Sequence, residues 1–152
     1  MRKIIYTMPD GGLAVVHTVR NTVGETLTTD AEIEQRAWNR LPTEAINPVF
    51  VDASDIPTDR TFRDAWKADG SKVTHDMDKC RAIHTDRLRT LRAPKLAALD
   101  VAYQRADEGG DHEGKASITA RKQALRDVTK DAAILSAKTP EELASVMPEI
   151  LK

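Results

Sequence analysis

Cys80 and His84 stand four residues apart, a spacing that on a helix lets both side chains reach one metal ion, with His75 and Asp76 just upstream. Zinc accepts thiolate and imidazole ligands, but a structural zinc site is closed by four of them. The chain has no CxxC pair and no second histidine cluster to complete such a set. An apolar stripe through the same positions accounts for both residues without a metal: Cys80 as a small buried side chain, His84 as a half-buried one. A second candidate is the acidic run Asp107-Glu108-Gly109-Gly110-Asp111-His112-Glu113-Gly114. It lacks the Asp-x-Asp-x-Asp-Gly order and the distal glutamate of a calcium loop, and it reads as a solvated turn between two helices. No Gly-rich phosphate loop, nucleophile elbow or HExxH is present. The acids are plentiful, but none is paired in an apolar setting that would shift its pKa. These observations predict a protein without metal, cofactor or catalytic residues.

The third candidate is electrostatic. Between residues 79 and 95 stand six basic residues, Lys79, Arg81, Arg87, Arg89, Arg92 and Lys95, against one acid, Asp86. Nucleic-acid contact needs such charges to converge on one exposed face. On a helical wheel they split instead. Arg81, Arg89 and Arg92 border one edge of the apolar stripe, and Lys79 and Arg87 lie beyond the other. Flanking positions of this kind suit basic side chains that cover apolar stems and pair with a neighbouring helix. The net charge of −1 supplies no global attraction to DNA or anionic lipid. A DNA-contacting accessory role for residues 79–95 is kept as a third reading.

The elements that carry these residues fall into two parts. Residues 2–8 and 13–19 are β-rich and flank Pro9-Asp10-Gly11-Gly12, which predicts a hairpin. Thr29 with Glu32 is a capping box opening a helix that places Ile33, Ala37 and Leu41 on one side and stops at Pro42. Residues 49–52 read as a short strand, and Asp69-Gly70 predicts a second tight hairpin. Beyond about residue 76 the period becomes helical. Met77, Cys80, His84, Leu88 and Leu91 form one stripe, Pro94 kinks or restarts the helix, and Leu96, Leu99 and Tyr103 continue it to Gly109-Gly110. A second helix is predicted from Ser117 to Val128 with Ile118, Leu125 and Val128 on one face, antiparallel to the first. Thr139-Pro140-Glu141-Glu142 opens a short final helix.

The fold class is therefore α+β: a β-rich part over 1–75 and a helical hairpin with a short capping helix over 76–152. Aromatic residues make up only 4% of the chain, so the core must be aliphatic, with Trp38 and Trp66 as packing anchors. The single cysteine excludes an intrachain disulfide and suits a reducing compartment. The apolar run near the start ends at Pro9, too short for a signal peptide, and no window approaches a membrane span.

The segments GGLAVVH (11–17), IPTDRTFRDAW (56–66), LAALDVAYQRADEGGD (96–111), ITARKQALRDV (118–128) and TPEEL (139–143) resemble a group of small proteins of tailed phages and prophages. That resemblance implies a place near the tail, in the host cytoplasm during assembly and then in the virion. The helical half is also similar to the C-terminal part of tail-fibre assembly chaperones, through Leu96-Ala97-Ala98-Leu99-Asp100 and Lys122-Gln123-Ala124-Leu125-Arg126. It departs from them at Arg121-Lys122, where they carry an aromatic residue. The expectation is a structural protein that binds other tail or tail-fibre subunits and forms a homo-oligomer, with a non-virion chaperone as the alternative. The surface expected to do this is the pair of helical stripes, Met77, His84, Leu88 and Leu91 with Ile118, Leu125 and Val128, edged by Arg81, Arg89 and Arg92.

Overall fold

Lys3–Thr7 (β1) and Leu13–Val16 (β2) pair antiparallel in the register Ile4 with Val16 and Thr7 with Leu13. The turn closes through the Gly11 N–H donating to the Met8 carbonyl (2.9 Å), and Gly11 takes the φ of +81° that this turn requires. The computed structural model describes residues 1–22, 25–26 and 29–152. It is an α+β fold that divides into two units, Met1–Asp76 and Met77–Lys152.

In the first unit β1 is the central strand. Its second edge pairs antiparallel with a strand at Ile46–Val51 (here β5) to give the order β2-β1-β5. Two-residue strands at Asn21–Thr22 (β3) and Glu25–Thr26 (β4) form a separate small ladder. The β1–β5 register slips between Ile5 and Thr7, where Asn47 adopts a φ of +48°. Asparagine tolerates this left-handed conformation, and the extra residue makes a bulge. The strand predicted at 49–52 thus begins three residues earlier, on the far side of the bulge.

Alternation along the strands gives the sheet two apolar faces. One presents Ile5, Val15, Val49 and Val51 to the hairpin of Trp66–Asp69 (β6) and Lys72–His75 (β7), where Trp66 and Val73 complete the cluster. Gly70 turns this hairpin at φ +59°. The Trp66 indole N–H donates to His75 Nε2 at 3.0 Å, which leaves the imidazole proton on Nδ1. The other face presents Ile4 and Phe50 to the helix Asp30–Asn39 (α1), whose Ile33 is fully buried and whose Trp38 stacks on Phe50 at 5.0 Å. Both halves of the predicted capping box form: Thr29 Oγ1 accepts from the Glu32 N–H, and Glu32 accepts from the Thr29 N–H. The helix ends at Asn39, so Leu41 lies beyond it and is not part of its apolar face.

A buried carboxylate holds α1 to the sheet. Glu34 Oε1 accepts from the Arg2 N–H at 2.7 Å, and Oε2 accepts from the guanidinium at 2.7 and 3.1 Å. The same guanidinium lies 4.4 Å from the Phe50 ring centre.

In the second unit Met77–Glu108 (α2) runs 32 residues, about 48 Å at 1.5 Å per residue, with Pro94 inside it. It stops at Gly110, φ +68°, in a Schellman arrangement: Asp111 N–H donates to Ala106 O (2.8 Å) and Gly110 N–H to Asp107 O (3.1 Å). Asp111 then caps His112–Asp127 (α3) by accepting from the Gly114 N–H. The second helix therefore starts five residues before the predicted Ser117. Only residues 109–111 of the acidic run are outside a helix. The turn residues and the next cap are the same three residues, which is why the run read as a longer loop. Ion pairs Lys115–Asp107 and Lys122–Asp100 descend α2 as they ascend α3, so the helices are antiparallel.

Past a 3-10 turn at Val128–Lys130, two short helices follow, Ala132–Ser136 (α4) and Pro140–Ser145 (α5), and then a 3-10 turn at Glu149–Leu151. Thr139 caps α5, with Pro140 at its first position. Among the described residues no helix is long and apolar enough to cross a membrane.

The Arg2–Glu34 geometry sets a pH-dependent stability. Hydrogen bonds from the Arg2 side chain first, and its backbone N–H second, hold the Glu34 carboxyl below its ordinary 4.5. A depressed carboxylate contributes its stability fully above that ordinary value and loses it as pH falls through the lowered folded value. We expect Glu34→Gln to lower the melting temperature at pH 7 by several degrees. The difference from wild type should shrink below about pH 4.5, read by circular dichroism melts from pH 7 to 3.

Candidate functional site

The inward arc of α2 is filled from within the unit. Cys80, His84, Leu88 and Leu99 are buried, as are Leu125, Val128, Ile134, Leu143 and Leu151 of the elements that follow. His84 Nε2 donates to the Val146 carbonyl at 2.9 Å, at the C-terminal cap of α5. Burial lowers its pKa below the ordinary 6.5, against the raising effect of that hydrogen bond. Met77 and Ile118 are half-buried. Of the residues expected to meet a partner, His84, Leu88, Leu125 and Val128 are therefore core and present no surface.

The basic residues bordering this arc are also engaged within the unit. Arg81 donates to the carbonyls of Ile134 (3.3 Å), Leu135 (3.5 Å) and Ala137 (3.1 Å), at the end of α4. Arg92 donates to the carbonyls of Arg126 (2.7 Å) and Leu125 (3.5 Å), in the last turn of α3. Lys95 reaches the Ile150 carbonyl at 3.1 Å. The last carbonyls of a helix have no partner within it, and a cation there also opposes the negative end of the helix dipole. Arg81 also pairs with Asp78 on its own helix at 2.9 Å, so it joins a carboxylate one turn back to the carbonyls at the end of α4. Arg89 likewise pairs with Asp86 on its own helix, at 2.6 Å.

Leu91 is the exception in the stripe: it is 43% exposed. The end of α3 is held on the Arg92 side of α2, and Leu91 stands about 100° around the helix from Arg92. It joins Ile83, Asp86, Arg87 and Thr90 in lining a shallow depression on the outer face. Val101, 48% exposed, lies ten residues further along the same outer side. Ile83 and Val101 were missed because neither belongs to the inward stripe. Ile83 and Val101 are eighteen residues apart, five whole turns, and so lie on one line of the helix, with Leu91 about 80° around from it.

The metal-ligand candidates separate into unrelated roles. His75 serves Trp66, His84 serves Val146 and Cys80 is buried in the core. Among the described residues no three His, Cys, Asp or Glu side chains group as a metal would need.

Fold and surface together define a two-unit α+β protein whose long helix α2 leaves Leu91 and Val101 exposed. Comparison with known protein families, with curated proteins and with solved structures finds no match.

Two outcomes follow from this arrangement. Leu88→Asp should unfold the helical unit, because a charge replaces a fully buried leucine and exceeds the roughly 2–5 kcal/mol of a truncation to alanine. Leu91→Asp should leave the unfolding free energy within about 0.5 kcal/mol of wild type. Denaturant titration of both variants checks this. For His84 the depressed pKa means that the unfolded chain takes the proton first. Stability is whole above the ordinary 6.5 and lost as pH falls through the lowered folded value. His84→Gln keeps a donor for Val146 without titrating. The stability advantage of wild type over this variant should therefore shrink from pH 8 to pH 5 in parallel melts.

Proposed function

We propose that this chain is a non-catalytic structural protein of tailed-phage particles, associated with the tail or tail fibre, and that it holds neighbouring subunits through the outer face of α2. The observation that carries the reading is the exposure of Leu91 and Val101, with the half-buried Ile83 near them, on a helix whose inward arc is already filled. Apolar side chains left outside a finished core are available to a partner. Arg87 and Asp86, which line the same depression, and Arg89, which pairs with Asp86, supply both signs of charge, which favours register with a protein surface over attraction to a polyanion. The phage context is supported by the resemblance of segments 11–17, 56–66, 96–111, 118–128 and 139–143 to small proteins of tailed phages. In this reading the protein is held in the host cytoplasm until assembly and then enters the particle.

Quantitative mass spectrometry of purified particles tests the proposal, with wild type and a Leu91→Asp/Val101→Asp variant supplied during assembly. Wild type should be present at a fixed copy number per particle, and the variant should be reduced at least about tenfold while remaining folded in the lysate. Protein found only in the lysate would replace this reading with the assembly-chaperone one. Undiminished incorporation of the variant would show that the outer face of α2 is not the contact.

A further inference from the structure

The first unit carries twelve Asp and Glu against nine Lys and Arg, yet three of those nine cations line one cavity. The cavity, about 220 Å³, takes Lys3 from β1, His17 from just past β2, and Arg60 and Arg63 from the segment leading into β6. Lys3 and His17 each stand one residue beyond the last β1–β2 pair, Ile4 with Val16, at the same end of the hairpin. Thr58 adds a hydroxyl, and Val15, Ile56 and the almost fully buried Trp66 form an apolar wall. No acidic residue lines the cavity. Among the described residues none of the four basic groups is paired with a carboxylate, although five aspartates lie between residues 52 and 69.

Like charges gathered without a counter-charge repel one another. The strain registers on His17, whose pKa is lowered first by burial and then by the charges of Lys3, Arg60 and Arg63. An oxyanion in the cavity would reverse that balance. Arginine forks offer paired N–H donors to tetrahedral oxyanions, lysine a point charge, and a threonine hydroxyl one further hydrogen bond. The volume equals about seven water molecules at ~30 Å³ each, which suits a phosphate group with a short apolar attachment and not a full nucleotide cofactor.

We infer that the Lys3–His17–Arg60–Arg63 cavity is a binding site for a dianionic phosphate group, of the kind carried by a small phosphomonoester. The site belongs to the first unit and the proposed contact on α2 to the second, and they share no residue, so either can fail without the other. Its residues come from three separated segments, each with an ordinary count of charges, and only the register of β1 on β2 and the path of residues 53–63 bring them together.

The test is a nuclear magnetic resonance titration of the full chain at pH 7.5 and constant ionic strength, following the His17 ring. The probes are inorganic phosphate, methyl phosphate and dimethyl phosphate, with sodium chloride as reference. Phosphate and methyl phosphate should each give a saturable shift of His17 and raise its pKa, because a bound dianion favours the protonated ring. Dimethyl phosphate, a single-charge diester like a nucleic-acid backbone, should bind at least about tenfold more weakly. Arg60→Gln and Arg63→Gln should each weaken methyl phosphate about tenfold. Lys67→Gln, an exposed lysine on β6 outside the cavity, should have no effect. Arg60 and Arg63 are exposed, so an unchanged melting temperature confirms that each variant is folded. A His17 response no larger than that to chloride would overturn the site. So would equal binding of the diester, or indifference to both arginine substitutions.

Discussion

The helical unit rests on a set of donors spaced along one side of α2. Arg81, Arg92 and Lys95 are eleven and three residues apart, close to whole turns, and each meets backbone carbonyls of a later segment. Those segments need such partners. α4 has five residues and α5 six, far below the length at which a helix holds itself in water. Leucine and isoleucine burial draws the segments onto α2, but burial is indifferent to small rotations and slides. The carbonyl contacts are directional, and they fix where along α2 each segment ends. His84 adds a fourth contact of the same kind at Val146. The cluster of basic residues that resembled a polyanion-binding stretch in the sequence is in large part a scaffold for helix ends.

The first unit solves a different problem with the same economy of aromatic residues. Its three-stranded sheet has apolar residues on both faces, and neither cover is large. One is a two-stranded hairpin anchored by Trp66, the other a ten-residue helix anchored by Ile33 and Trp38. Arg2, at the start of β1, links sheet and helix by engaging Glu34 and Phe50 together. The bulge at Asn47 lets β5 keep Val49 and Val51 on the hairpin side while admitting an extra residue before Pro48.

What could be read from the sequence was what is decided locally. The two hairpins, the Thr29 box, the Gly110 stop and the Thr139 cap depend on residues within one turn of each other, and all are present. The α+β character follows from the same signals. Some of the failures originate in distance along the chain and others in elements too short to show a period. Leu91 has the spacing of a core residue, and only the placement of α3 beside Arg92 leaves it outside. α4 has too few residues for a period to emerge, so nothing announced it. The carbonyl partners of Arg81 lie more than fifty residues away, and main-chain atoms carry no residue-type signature. The start of α3 was misplaced because Gly109, Gly110 and Asp111 end one helix and open the next in three residues.

Cys80, the chain's sole cysteine, is fully buried one turn before His84. A thiol reacts as its thiolate and only where a reagent can reach it, so in the closed unit this sulfur is silent. Every covalent capture must wait for α2 to part from the elements packed over it. The rate at which an added disulfide reagent consumes the protein is thus a clock for that opening event. The native sequence carries this probe at one defined depth, without any engineered label.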